Sequence, residues 1–340
     1  MRIRNHVYVA ALAIACAPLF ASANVLVSDG FDTAGDASNY NVYITAGTAS
    51  APSGDATFGY NYGAAPSAGG LSIPVAPHTT DGSTTGLRLR TDNLMSSVGT
   101  VVGAVDIATK GLVLPTAYTV SVDVWSNYIG GSNLSASGSN GSTGVAVGVG
   151  TSGSSIQYIA ANDGMLVEGF GDNGGGTNSD YRLWVNNTHP TPLTSSYYTA
   201  GTGANSATNS DPYYTAFLPS VAAPAGQSSF AASTQGGTTA AGTLGFAWHT
   251  WTITQDGTNL TWAIDGHTIS TAPDSAFTFG GSQVTLGNDD TGLTGNSAAN
   301  NQLFNAEIFD NFTITTVPEP TTLSLVGLAA VGAMRRRRSR

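Results

Sequence analysis

Charge is scarce in this sequence: Asp, Glu, Lys and Arg together make up 9% of its 340 residues. Good helix formers such as Glu and Lys are therefore thin where structure must form, which argues against a helical protein. In their place stand 43 glycines and long stretches of Ser, Thr, Asn and Ala, a composition of strands and turns. Basic residues are scarcer still in the body of the chain. Between residues 24 and 316 only Arg88, Arg90, Lys110 and Arg182 stand against 18 Asp, Glu168 and Glu307, a net charge of about −16. Such a surface repels phosphate backbones, so no nucleic-acid partner is expected, and it suits a soluble, secreted protein able to attract cations.

Cysteine is nearly absent. Cys16 lies inside the leader described below, so the mature chain has no disulfide and rests on packing, hydrogen bonds and any bound metal. The familiar catalytic patterns are missing as well. His78, His189, His249 and His267 occupy no G-x-S-x-G or H-E-x-x-H setting, and there is no phosphate loop and no cysteine-based zinc spacing. His249, between Trp248 and Thr250, reads as a strand residue. Hydrolysis of a glycosidic bond needs two carboxylates flanking it. The body offers only Glu168 and Glu307 as glutamates, far apart in the chain, and no arrangement of aspartates marks a substitute pair. The expectation is a protein that is not an enzyme and requires no cofactor.

The two ends carry the most definite patterns. Arg2 and Arg4 precede an apolar run from Val7 to Phe20, and Ala21-Ser22-Ala23 places small residues where signal peptidase reads them. Residues 1–23 are expected to form a secretory signal helix removed after Ala23. At the other end, Val317-Pro318-Glu319-Pro320 leads into the uncharged run Thr321–Met334 and then Arg335, Arg336, Arg337 and Arg338. The prolines hold an extended segment that an enzyme can grip, the apolar run enters lipid, and the arginines stay on the cytoplasmic side. Fourteen residues make a helix of about 21 Å against a hydrocarbon core of about 30 Å. Spanning therefore depends on arginine snorkelling and local thinning.

Residues 317–340, with their order of Pro-Glu-Pro, short transmembrane helix and arginine cluster, resemble the PEP-CTERM sorting signal of Gram-negative bacteria. The resemblance implies that a membrane-embedded exosortase recognises the Pro-Glu-Pro segment and cuts near it. The protein would be anchored transiently in the inner membrane and then passed to the cell surface, the extracellular matrix or the medium, often alongside exopolysaccharide.

Residues 24–316 read as one all-β domain. Strands are expected at 86–91, 118–126, 144–150, 156–160, 181–186, 248–255, 260–264, 283–287 and 303–315, with an opening strand around Val27–Asp32. In Thr119–Trp125, period-two alternation sends Val120, Val122 and Val124 to one buried face. Asp256-Gly257-Thr258-Asn259 and Asp265-Gly266 read as successive hairpin turns of a meander. The stretches 130–143, 171–179 and 199–210 read as mobile surface loops. Tyr181, Trp184, Tyr197, Tyr198, Tyr213 and Tyr214 lie near them and offer either sugar-stacking faces or core packing.

The aromatic strand running into an Asp-Gly hairpin, the Val284–Gly287 strand and the Asp310-Asn311 pair on the last strand resemble concanavalin A-like and laminin-G-like jelly rolls. That resemblance implies an antiparallel β-sandwich whose first and last strands are neighbours. It also implies polysaccharide as a partner and a structural calcium between Asp32 and Asp310, with Asp29 nearby; hard cations take several such oxygen ligands. The E-x-D-x-x-E strand of the related glucanases is absent. Alternatives of another class are a glycan-active enzyme and a passive, glycosylated matrix protein.

Overall fold

The computed structural model describes residues 23–44, 54–90, 103–127, 143–152, 163–170, 180–185, 195–201, 207–233, 235–290, 303–304 and 306–317. Ala21, the leader to residue 22, the expected strand 156–160, the loops 130–142 and 171–179, and the tail from Pro318 lie outside the described residues. The strands are β1 (Val25–Asp29), β2 (Tyr40–Ile44), β3 (Asp55–Asn61), β4 (Thr85–Arg90), β5 (Gly103–Thr109), β6 (Tyr118–Asn127) and β7 (Thr143–Thr151). They continue as β8 (Met165–Phe170), β9 (Tyr181–Val185), β10 (Trp248–Gln255), β11 (Asn259–Ile264), β12 (His267–Pro273), β13 (Gln283–Asp290) and β14 (Ala306–Thr316). Two short α-helices are α1 (Pro212–Thr215) and α2 (Ala225–Phe230). Among the described residues no helix is long and apolar enough to cross a membrane.

These strands make two antiparallel sheets, an all-β sandwich. One runs β12-β11-β10-β6-β14-β4-β3, with β1 also pairing β14; the other runs β2-β5-β13-β7-β8-β9. Val120, Val122 and Val124 do share the buried face, joining Leu87, Leu89, Trp251, Ile253, Trp262 and Phe309 from their own sheet. From the second sheet come Val105, Ile107, Val147, Val167, Leu183 and Leu286. The period of two puts every second residue into this layer, which is what removes the apolar surface from water.

The meander forms as its turns dictate. Asp256 accepts hydrogen bonds from the amides of Thr258 and Asn259, both at 2.8 Å, closing the β10–β11 turn. Asp265 (φ 50°) and Gly266 (φ 78°) are both left-handed, the pairing a two-residue hairpin needs to match strand twist. The Trp248–Gln255 strand has the expected bounds, and the strand expected at 303–315 begins instead at Ala306, after a helical turn at residues 303–304.

Four strands carry no expectation from sequence, β2, β3, β5 and β8, while β12 is the strand expected after the Asp265-Gly266 turn. In β8, Met165 to Phe170 is buried on both faces, so its residues show no apolar–polar alternation. The outward face of the larger sheet is also covered. Segment 62–76 and α2 pack a second layer there, with Tyr62, Leu71, Ile73, Trp125, Phe246 and Phe304 in one cluster. Within the stretch 199–210, of which 202–206 lie outside the described residues, residues 207–209 depart from the reading as a mobile loop: Ala207 is fully buried and bridges Tyr181, and Asn209 is buried beside Asp180.

Candidate functional site

Strand β14 is long enough to pair with two strands along one edge. Its first half meets β4, with Glu307–Phe309 opposite Leu89–Leu87, and its second half meets β1, with Phe312–Thr315 opposite Asp29–Val25. Where β4 stops and β1 begins, β14 bulges. Asp310 faces Asp123 and Thr313 faces Ser121, so two residues of β14 lie opposite the single Val122. An extra residue bends the strand and re-aims side chains. Phe312 goes to the core, while Asn311 adopts φ 50°. Across the junction Phe31 takes φ 56°, so two non-glycine residues hold left-handed backbone side by side, a condition the surrounding structure must enforce.

A buried polar network fills this junction. Asp310 Oδ2 accepts from Tyr62 Oη (2.9 Å) and Thr79 Oγ1 (3.2 Å), and its Oδ1 accepts from the Asn311 amide (2.7 Å). The Asn311 side-chain amide donates to Thr79 Oγ1 and to Asp123 Oδ2, both at 2.9 Å. Asp123, whose side chain is wholly buried, also accepts from Thr250 Oγ1 and from His78 Nδ1, each at 2.8 Å. The His78 ring stands 61% exposed. Binding through Nδ1 fixes its tautomer and orientation and leaves Nε2 at the surface. Beside the network lies a groove of about 370 Å³ lined by Ser28, Asp29, Gly30, His78, Thr80, Ser121, Asn311 and Thr313.

Asp32 and Asp310 both approach Gly30 here. A Cβ on Gly30 would sit 2.6 Å from Asp32 Oδ2 and 3.7 Å from Asp310 Oδ1, so glycine leaves the space that both oxygens face. Asp32 Oδ1 is held by Thr85 Oγ1 (2.7 Å) and Ser83 Oγ (3.2 Å). Asp29 is used differently from the expectation: its oxygens accept from the Phe31 amide (2.7 Å) and from Tyr40 Oη (2.9 Å), so it fastens β1. No group of three or more His, Cys, Asp or Glu suited to a metal occurs among the described residues. The donors beside Gly30, two carboxylates with the hydroxyls that hold them, are oxygens, the ligand type a hard cation such as calcium takes. Asp32 and Asp310 would hold it, and the charge it supplies would favour Asp310 as a carboxylate.

Burial pushes the Asp310 carboxyl up to about 6, with the Asp32 charge adding and the bonds from Tyr62, Asn311 and Thr79 opposing. Asp180 is pushed to about 6 by burial as well, and burial raises Asp29 and Glu168. A carboxyl raised in the folded state binds protons the unfolded chain has released. Its stabilising effect is whole below about pH 4 and is lost as pH rises through 6. In chelator, melting temperature should therefore increase from pH 7 to pH 5, with Asp180 and Asp310 each contributing on the order of 1 kcal/mol. Calcium should raise the pH 7 value and flatten this trend; a melting temperature indifferent to both would remove the cation assignment.

The other singled-out residues are dispersed. Tyr181, Trp184, Tyr198 and Tyr214 are buried, so they pack the core and present no stacking face to a sugar. Tyr181 stacks on Tyr214 at 4.5 Å and donates to the Gly242 carbonyl. Tyr213 and Tyr197 are partly buried against the same core. His249, on β10, holds Asp265 at 2.7 Å, and His267 stacks on Phe217 at 4.1 Å. Glu168 and Glu307 lie on different sheets. Glu168 accepts from Trp184 Nε1 (2.9 Å) and Arg182 (3.4 Å), and Glu307 from Ser126 Oγ (2.9 Å). His78, Asp123, Tyr62 and Thr79, central to the junction, carry no sequence signal; only the fold brings them within reach of Asp310.

The molecule is thus of the class of two-sheet β-sandwiches with a polar groove at the junction of the first and last strands. Residues 316–338 match the PEP-CTERM protein-sorting motif. The tail is accordingly a sorting signal, and the protein is exported across the membrane to the cell surface by exosortase-mediated processing. No curated protein matches the sequence significantly. Among solved structures, the chain is similar to a protein of unknown function with a galectin-like fold from Bacillus subtilis (TM-score 0.43, 9% identity, covering 86% of this chain and 96% of that one). It is similar to the carbohydrate-binding module CBM66 from Bacillus subtilis (TM-score 0.32, 11% identity, 72% and 92%). A third likeness is to a GlcNAcα1-4Gal-releasing endo-β-galactosidase from Clostridium perfringens (TM-score 0.43, 10% identity, 87% and 63%).

Proposed function

We propose that the exported sandwich is a non-catalytic glycan-binding protein of the cell surface or extracellular matrix, and that the β1–β14 groove is its ligand site. The observation that carries this reading is the lining of that groove. Ser28, Thr80, Ser121, Thr313, Asn311 and His78 line one space, while the Asp29 carboxylate at its edge is turned to Tyr40 and the Phe31 amide. The Asp123 and Asp310 network beneath holds several of them in place before any ligand arrives. A polyhydroxylated ligand is recognised by convergent donors and acceptors whose ordering cost has already been met. The separation of Glu168 and Glu307 onto different sheets, each engaged by its own partners, favours binding over hydrolysis.

A glycan array probed with the mature domain tests the assignment. A neutral polysaccharide should bind, and His78→Ala should weaken it about tenfold, the worth of one hydrogen bond of about 1.4 kcal/mol. Binding that ignores His78→Ala would move the ligand elsewhere. Turnover of a labelled polysaccharide, abolished by Glu168→Gln, would replace this reading with an enzymatic one.

A further inference from the structure

The sorting tail leaves the sandwich at one end, and four of the eight exposed large apolar side chains among the described residues stand at that end. Thr316 donates its amide to the Asn24 carbonyl at 2.9 Å, and Val317 donates to the Ala117 carbonyl at 3.1 Å, so the chain is held by the fold up to Val317. The turns sharing this end are the start of β1, the 110–117 connection and the segment after β12. On them stand Val25 (63% exposed), Leu26 (38%), Val113 (78%) and Phe279 (41%). These residues are joined by shallow grooves: Leu26 and Leu112 line one, and Leu114, Pro115 and Phe279 line the next. Lys110, the only lysine in the chain, is on the same rim. Phe279 is seated by Gly150, where a Cβ would come within 2.2 Å of its ring. Single exposed apolar residues are ordinary, but a run along one end marks an interaction surface.

The length of the tail says what covers it. Three residues lie between Val317 and the apolar run that starts at Thr321, so the four Cα steps reach at most about 14 Å fully extended. The headgroup layer on each side of a bilayer is itself about 5–8 Å thick. Once the run enters lipid, the tail end of the sandwich can stand no more than about 6–9 Å above the headgroups.

We propose that in the unprocessed protein this apolar end, through Val25, Leu26, Val113 and Phe279, docks on the lipid surface of the membrane that holds the tail, and lifts off when the tail is cut. The contact is intramolecular and so needs little affinity of its own, since the short tether supplies a high effective concentration. Docking orients the extended Val317–Pro320 segment at the membrane surface, where a membrane-embedded protease can reach it. It also turns the β1–β14 groove sideways, half a strand length from lipid.

The mature chain has no cysteine, so single labels can be placed cleanly. The chain from Asn24 to Arg340, which keeps the tail and lacks Cys16, carrying Val113→Cys, Leu26→Cys or, at the distal end, Phe230→Cys would be labelled with bimane and reconstituted in phosphatidylethanolamine–phosphatidylglycerol vesicles containing headgroup-quenching lipid. Phe230 packs beside Phe304 at the start of β14, about 35 Å from Val317 along an 11-residue strand. The expected result is several-fold stronger quenching at residues 113 and 26 than at 230, lost when the tail is removed. Equal quenching at all three sites, or none at 113 and 26 while the protein still floats with the vesicles, would overturn the proposal. Flotation reports tail insertion separately, so failure of the anchor and failure of the docking surface give different results.

Discussion

Replacing Trp262 by Ala is expected to leave the domain largely unfolded at growth temperature. The Trp262 ring is fully buried on β11, tilted against Trp251 at 5.0 Å and edge-on to Tyr181 at 6.1 Å, so three large rings from both sheets meet at one point of the core. Truncating such a side chain costs about 3–5 kcal/mol in lost transfer energy and cavity. A domain of ordinary stability has about 5–15 kcal/mol in total, and here no disulfide limits the unfolded chain. The indole Nε1 has no hydrogen-bond partner, so Trp262→Phe gives up no bond and should cost far less than Trp262→Ala. Denaturant titration reads both. A midpoint for Trp262→Ala equal to that of the parent would show that the two sheets do not depend on this contact.

The second large effect lies in the tail. With Pro318 and Pro320 both changed to Ala, most of the protein is expected to remain as uncut precursor in the inner membrane. Proline removes an amide donor and keeps its preceding residue extended, so the native segment between Val317 and the apolar run cannot join a helix. Alanine is the best helix former, and the substituted segment is free to continue helically and withdraw the extended form a protease grips. Mass spectrometry of the C-terminal peptide, with cell fractionation in the native host, measures the outcome. Unchanged trimming and surface delivery would show that the prolines are dispensable for recognition.

How much was legible beforehand differs by level. The meander from Trp248 to Ile264 was readable because its alternation and its Asp-Gly turns act over a few residues. The same holds for Val120, Val122 and Val124 on β6. Strand β8 was not, since burial on both faces removes the alternation that marks a strand. Asp32 and Asp310 were picked out by resemblance, and each has a carboxylate oxygen near Gly30. Asp29 was grouped with them, but the Tyr40 hydroxyl and the Phe31 amide claim its carboxylate. The aromatic residues near the polar loops were open to two readings, and burial of Tyr181, Trp184, Tyr198 and Tyr214 decides for packing.

By itself the sequence determined export and sorting, because a leader and a tail act as linear segments read by enzymes and lipid, with meaning carried by order along the chain. It determined the β character too, through turn chemistry and a period of two. Tertiary structure alone decided the groove. Residues 62, 78, 123 and 310 are distant in sequence, and no local rule couples them. They meet because β14 has two different partners on one edge and must bulge between them, turning Asn311 and Asp310 toward whatever the covering segment from Tyr62 to Thr85 supplies.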